Sequence, residues 1–123
     1  LVVRSSRGAV AIDLDGDGDE GTGWVLVYMH LSSYERVAAG TWLNQDDKVG
    51  HPSCEGGKST GTHLHITRKY NGEWLGVDAP LPFILGPWEA LAGPSSYQGW
   101  LRSGEVWVAN NINGIRESRI HRE

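Results

Sequence analysis

The sequence predicts an all-β fold built mostly from antiparallel strands. Short apolar runs alternate with polar turns along the 123 residues, and 17 of these residues are glycine. Six tryptophans occur with one methionine and one phenylalanine, a balance that favours a sheet with tight turns over a helical bundle. A chain of this length can bury a modest core. We therefore expect strands folded over a central sheet, with a small C-terminal appendix.

The first strands are predicted near the N-terminus. Residues 1–4 and 9–14 have the character of two short strands, and residues 24–30 form the longest apolar run, in which Val25 and Val27 suit a buried strand. The polar stretch 13–23 must then turn the chain between two strands.

The rest of the chain predicts shorter elements. Strands are expected at 36–37, 41–43 and 48–51, and His51 is interpreted as an ordinary polar residue near a turn. Asn71-Gly72 is a strong hairpin signal. A short helix or a helical turn is compatible with the sequence around 83–91, and a last hairpin with residues 100–101 and 105–108. Three tryptophans are expected to form a small C-terminal core, with an exposed aromatic surface for glycan as the alternative, and they are Trp88, Trp100 and Trp107.

Composition excludes several partners. The net charge is −4 and no basic cluster occurs, which argues against nucleic acid. No apolar run is long enough to cross a bilayer, so membrane insertion is not expected. The single cysteine, Cys54, forms no disulfide framework within these residues. It is either a small buried residue in a turn or the partner of a cysteine elsewhere. Leu1 is neither a start methionine nor part of a secretion signal, so we expect a piece of a longer protein.

Asp13, Asp15, Asp17 and Gly18 match the opening of a calcium loop, where alternate carboxylates converge on a hard cation. However, Trp24 stands where such a loop places its bidentate glutamate, and a strand rather than a helix is predicted to follow. Two interpretations stay open, a solvated acidic hairpin and a calcium site.

Two of the five histidines, His63 and His65, lie one residue apart. In an extended strand both side chains point to the same face. Two imidazoles on one face suit a metal site or an acid–base pair. The alternative is a surface strand that carries two solvated histidines.

Several short segments occur in the order seen in one peptidase family. They are Tyr28-Met29-His30-Leu31-Ser32, Val37-Ala38-Ala39-Gly40-Thr41-Trp42-Leu43, Val49-Gly50, Ser59-Thr60-Gly61-Thr62-His63-Leu64-His65, and Asn71-Gly72 followed by Val77-Asp78. They resemble the family's Tyr-x-His-Leu segment, its pair of hairpin strands, its Ser-Thr-Gly-x-His-Leu-His signature and its closing Asn-Gly and Val-Asp-Pro. Over roughly residues 1–85 the chain thus resembles the zinc metallopeptidases of the lysostaphin and LytM type, the M23 endopeptidases.

The resemblance implies a role for each of three histidines. His65 matches the histidine that binds zinc, whereas His63 and His30 match the catalytic pair. In the family, zinc polarises the scissile carbonyl and lowers the pKa of its bound water. The paired imidazoles take that water's proton and steady the developing oxyanion. The implied substrate is a peptide of bacterial cell-wall peptidoglycan, and the implied location is extracellular or in the cell envelope.

The sequence also departs from the family. No histidine precedes His30, so the family's upstream His-x-x-x-Asp zinc ligands have no match here. Thr62 replaces the usual proline, and Thr67 replaces a common acidic residue. We therefore expect an N-terminally truncated peptidase core at residues 1–85 with an extension at 86–123, and a poor enzyme by itself. A truncated sheet would expose an edge through which the chain could self-associate.

Two further functions are compatible with the sequence. One is a non-catalytic M23-like domain that binds a cell-wall glycan or a protein partner. The other is a calcium-binding β-module built on residues 13–19.

Overall fold

The computed structural model describes residues 1–59, 61–95 and 98–109. Over these residues the chain forms nine β-strands, all paired antiparallel, and no helix. The predicted all-β, mostly antiparallel fold is confirmed. In the same residues there is no helix long and apolar enough to cross a membrane. The part of the predicted extension that follows residue 109 lies outside the described residues.

The first of two units, Leu1–Leu75, contains a five-stranded sheet. Its strands are neighbours in chain order, and they are β1 (Val2–Ser6), β2 (Ala9–Asp13), β3 (Trp24–Met29), β4 (His65–Tyr70) and β5 (Glu73–Leu75). The predicted Asn71-Gly72 hairpin joins β4 to β5, and both of its residues have positive φ, 48° and 80°. Those angles are what a tight two-residue hairpin requires.

Successive residues of β2 contribute to the two hydrophobic clusters of this sheet. Val10 packs with Val2 and Leu31 in one cluster. Its neighbour Ala11 packs with Val25 and Val27 in the other. This division follows from the period of two along a strand, which sends successive side chains to opposite faces.

The segment between β3 and β4 differs from the prediction. The strands expected at 36–37, 41–43 and 48–51 do not form. Among the described residues of this segment there are scattered backbone hydrogen bonds and two isolated bridges, one between Leu31 and Pro52 and one between Ser53 and His63. Val37 N–H, for example, donates to the carbonyl of Val49 at 2.9 Å. Because glycine and Asp/Asn turns interrupt these runs, they are too short to build a continuous ladder. Val37, Leu43 and Val49 pack instead against the cluster of Val2, Val10 and Leu31.

One edge of the sheet, at β1, is partly covered. Val2 N–H donates to the carbonyl of Thr41 at 2.8 Å, and Gly40 N–H donates to the carbonyl of Val2 at 2.7 Å. These bonds occupy both main-chain polar groups of Val2. Self-association through a sheet edge stays a prediction.

The second unit begins at Gly76. It contains β6 (Phe83–Leu85), β7 (Trp88–Ala92), β8 (Gly99–Ser103) and β9 (Val106–Ala109), which pair in chain order. The helical turn predicted at 83–91 is wrong, because Gly86 (φ 60°) and Pro87 turn the chain into a β6–β7 hairpin. The predicted last hairpin is confirmed as β8–β9. The proposed core boundary at residue 85 rests on the family resemblance and stays a prediction.

The C-terminal tryptophans do not form the small core that the sequence suggested. Trp100 and Trp107 contact each other edge to face, with 38% and 52% of their surfaces exposed. Trp88 is half-buried.

Candidate functional site

Residues 51–53 bring two of the predicted site histidines together. Ser32 N–H donates to the carbonyl of His51 at 2.8 Å, and Ser53 N–H donates to the carbonyl of His30 at 2.6 Å. On its other side, Ser53 forms an isolated antiparallel bridge with His63. A segment far from both histidines in sequence therefore places His30 beside His63.

The structure gathers all three predicted histidines into one group. The ring centroids of His30 and His63 are 4.3 Å apart, and those of His30 and His65 are 6.1 Å apart with nearly parallel planes, at 21°. His30 is buried, with 5% of its surface exposed, whereas His63 and His65 are exposed. The group thus has a buried member and two members open to a ligand.

The hydrogen bonds of His30 and His63 define which ring nitrogen carries the hydrogen. His30 Nδ1 lies 3.0 Å from the carbonyl oxygen of Glu55, and His63 Nδ1 lies 2.8 Å from the carbonyl oxygen of Gly61. A carbonyl oxygen can only accept, so each Nδ1 donates. In its neutral form, each ring then has a free lone pair on Nε2. That lone pair can take a proton or bind a metal ion.

His65 begins β4 and pairs with Met29 of β3. Its outer side is exposed, but burial of part of the ring is the main cause that lowers its pKa below 6.5, and repulsion from His30 and then His63 adds to it. The lowered pKa favours the neutral ring, which is the form that binds a metal ion.

The prediction that His63 and His65 lie in one strand is correct for His65 but not for His63. Strand β4 starts at His65, and His63 precedes it in the isolated bridge with Ser53. The two rings both lie near His30 because of that bridge and the β3–β4 pairing, and not because of strand alternation alone. The prediction for His51 as an ordinary polar residue fits its contact with the Glu35 carboxylate, at 3.0 Å, on the exposed surface.

The three histidines do not make a complete zinc site as they stand. Zinc ligands in a tetrahedral site lie about 3.4 Å from one another. Among the described residues, the group of three whose donor atoms all lie within 4.8 Å of one another is Asp13, Asp15 and Asp17, and not the histidines. The histidines of the described residues therefore do not supply a complete set of zinc donors by themselves.

The acidic residues form a turn stabilised by their own backbone. The Asp13 carboxylate is buried and accepts from Gly18 N–H at 2.7 Å and Asp15 N–H at 3.2 Å. A hydrogen bond between the Asp13 and Asp15 carboxyl groups is the main cause that raises the pKa of Asp15. Crowded carboxylates are common in solvated turns as well as in calcium sites, so both interpretations of this hairpin remain hypotheses.

The structure adds residues that the sequence did not single out. Glu55 supplies the carbonyl that holds His30, and its carboxylate accepts from Ser33 N–H at 3.0 Å. The hydroxyl of Ser59 lies 3.3 Å from His63 Nδ1 and donates to the carbonyl of Gly61 at 2.7 Å. Main-chain carbonyls have no residue-type signature, so only the run of glycines around these positions could have drawn attention to them.

Comparison with known proteins gives a partial match. Over 83 residues, the chain is 32% identical to a protein named Protease LasA in two strains of Pseudomonas aeruginosa, and the aligned region covers 62% of this chain. The chain spans about a fifth of the length of these curated relatives, 19%. No family model matches the chain. No solved structure matches it either.

Proposed function

We propose that these residues belong to the catalytic domain of a zinc metalloendopeptidase that hydrolyses peptide bonds in bacterial cell-wall peptidoglycan. The observation that carries the proposal is the pairing of His30 and His63, whose Nδ1 atoms are both bonded to carbonyl groups. Similarity to a protein named as a protease supports the same conclusion. In this proposal the protein acts outside the membrane, in the extracellular space or the cell envelope.

The paired rings are suited to proton transfer. Each neutral ring presents a free Nε2, so one ring can accept a proton from a water molecule while the other, once protonated, can donate a hydrogen bond to a developing oxyanion. Their centroids are close enough, at 4.3 Å, for both rings to reach one substrate group. His65 lies beside them and is the residue that we assign to metal binding. The remaining zinc ligands must come from groups that these residues do not supply.

The test is hydrolysis of peptidoglycan peptides by the full-length protein that contains this chain, supplied with zinc. We expect His30→Ala and His63→Ala each to lower kcat by roughly 10²- to 10⁴-fold, the usual effect of losing a general acid or base. His51→Ala is the matched control, because His51 pairs with Glu35 on the surface and should leave kcat unchanged. Equal activity of all three variants would contradict the proposal.

The incomplete donor set favours one second candidate, a non-catalytic relative that binds a cell-wall glycan or a protein partner. A full-length protein that binds peptidoglycan but never cleaves its peptides with zinc present would favour this candidate. Cleavage that His30→Ala abolishes would exclude it.

A further inference from the structure

His30 is held in an uncommon backbone conformation. Its φ is 64°, in the left-handed region that residues other than glycine seldom adopt. The flanking main chain is bonded on both sides, since Leu31 N–H donates to the carbonyl of Gly8 at 2.9 Å and the His30 carbonyl accepts from Ser53 N–H. Such strained residues persist only where the surrounding structure determines them, and they concentrate at functional sites.

The ring of His30 is oriented by a main-chain carbonyl, that of Glu55. An imidazole exchanges its hydrogen between two nitrogens, and a fixed acceptor at Nδ1 is what selects one tautomer. The tautomer of His30 therefore depends on how firmly the backbone at Glu55 and Gly56 is held.

Two glycines hold that backbone in place. Gly8 and Gly56 have positive φ, 78° and 77°, and their main chains are in direct contact. A Cβ atom at Gly8 would lie 2.7 Å from Gly56 Cα and 2.9 Å from the carbonyl carbon of Glu55. A Cβ atom at Gly56 would lie 2.5 Å from the carbonyl oxygen of Arg7. Any side chain at Gly8 would thus push on the carbonyl group that accepts from His30.

The hydroxyl of Ser53 ties the same segment to His30. It donates to the carbonyl of His30 at 2.9 Å and accepts from the N–H of Glu55 at 3.0 Å. The Ser53 hydroxyl oxygen therefore links the main chain of His30 to the main chain of Glu55, whose carbonyl accepts from the His30 ring.

We propose that Gly8, Gly56 and Ser53 are positioning residues, which hold the Glu55 carbonyl so that His30 keeps its hydrogen on Nδ1 and presents a bare Nε2 to the substrate. The importance of this tautomer for hydrolysis rests on the function proposed above. The positioning itself is a property of the chain and is measured without substrate.

The first experiment compares Gly8→Ala with Gly40→Ala by NMR. Gly40 also has positive φ, 89°, but a Cβ atom there meets nothing within 4 Å, so the control carries the backbone strain without the contact. The ¹⁵N shifts of the His30 ring are measured at about pH 9, where an ordinary imidazole is neutral. We expect a single Nδ1–H tautomer in the wild type and in Gly40→Ala, and averaged or exchanged ring shifts in Gly8→Ala.

Unchanged His30 ring shifts in a folded Gly8→Ala variant would overturn the proposal. Averaged or exchanged ring shifts in the control Gly40→Ala would overturn it as well. If Gly8→Ala does not fold, Ser53→Ala decides by the same measurement, because it loosens Glu55 without introducing any atom. Altered shifts there support the positioning role, and unaltered shifts refute it. A wild-type full-length protein that shows the Nδ1–H tautomer but cleaves no peptide would refute the proposed function and leave the positioning intact.

Discussion

A charged network across the first sheet allows a quantitative test of the structure. Arg4 on β1 donates to both carboxylate oxygens of Glu20, from Nε at 2.7 Å and from a terminal nitrogen at 3.2 Å. Lys69 on β4 lies 3.5 Å from the same carboxylate. Glu20 belongs to the loop between β2 and β3, so its one carboxylate connects that loop to two strands that are not neighbours in the sheet.

The expected coupling free energy between Arg4 and Glu20 is small, because both side chains remain partly exposed to solvent. Of the two side chains, 41% of Arg4 and 27% of Glu20 remain exposed. Exposed ion pairs contribute up to about 1 kcal/mol, and a forked arginine–carboxylate pair is among the stronger ones. We therefore expect a coupling free energy of about 0.5–1 kcal/mol between Arg4 and Glu20, which decreases as salt is added.

The pH dependence follows from the direction of the pKa shift. The hydrogen bond from Arg4 is the main cause that lowers the pKa of Glu20 below its ordinary value of 4.5, and the charges of Arg4 and Lys69 add to it. A carboxyl group with a lowered pKa in the folded state stabilises the protein above its unfolded pKa. This contribution is present above about pH 4.5 and is lost as the pH falls from there through the folded pKa.

The measurement is a double-mutant cycle with Arg4→Met and Glu20→Gln, followed by urea unfolding at about pH 7 and about pH 3. Glu73→Gln, on the exposed strand β5, serves as the control and should change stability little at either pH. A coupling free energy of zero at neutral pH would refute the structural reasoning. A coupling that is as large at pH 3 as at pH 7 would also refute it.

The remaining predictions concern the core, the metal and the sheet edge. Val25 is completely buried, so Val25→Ala should cost about 2–3 kcal/mol in urea unfolding; a loss no larger than that of the exposed control Val106→Ala would contradict the packing. After dialysis this chain should retain little zinc by elemental analysis, with or without His65→Ala, because its histidines do not gather a complete donor set; one zinc per chain that is lost in His65→Ala would show that a site is completed. Self-association through the sheet edge should appear as a concentration-dependent increase in sedimentation coefficient, and a monomer at every concentration would count against it.

Much of the fold could be predicted because its signals are local. Asn71-Gly72 marks a hairpin by its own backbone preference, and short apolar runs rich in β-branched residues mark β2 and β3. The strands expected between residues 36 and 51 failed because a short apolar run has no structure of its own until a partner strand pairs with it. Val37 and Val49 instead pack against Val10 and Leu31, and they contribute to the core without forming regular strands.

The sequence predicted which histidines lie together in the candidate site, but not the main-chain contacts that position them. Motif order identified His30, His63 and His65, and the structure places their rings together. Their roles stay predictions. What the sequence could not indicate is the part made by main-chain atoms, since the carbonyls of Glu55 and Gly61 would be present with any side chain at those positions.

By itself, the sequence determined the strand-rich architecture, the Asn71-Gly72 hairpin and the membership of the three histidines in one group, because side-chain type and spacing are sufficient for each. Only the tertiary structure decided which nitrogen of His30 and His63 carries a hydrogen, and that Gly8 and Gly56 support that choice from 48 residues apart in the chain. The physical reason is that a tautomer is selected by the position of an acceptor in space. That position is set by backbone contacts between distant segments, which exist only once the chain has folded.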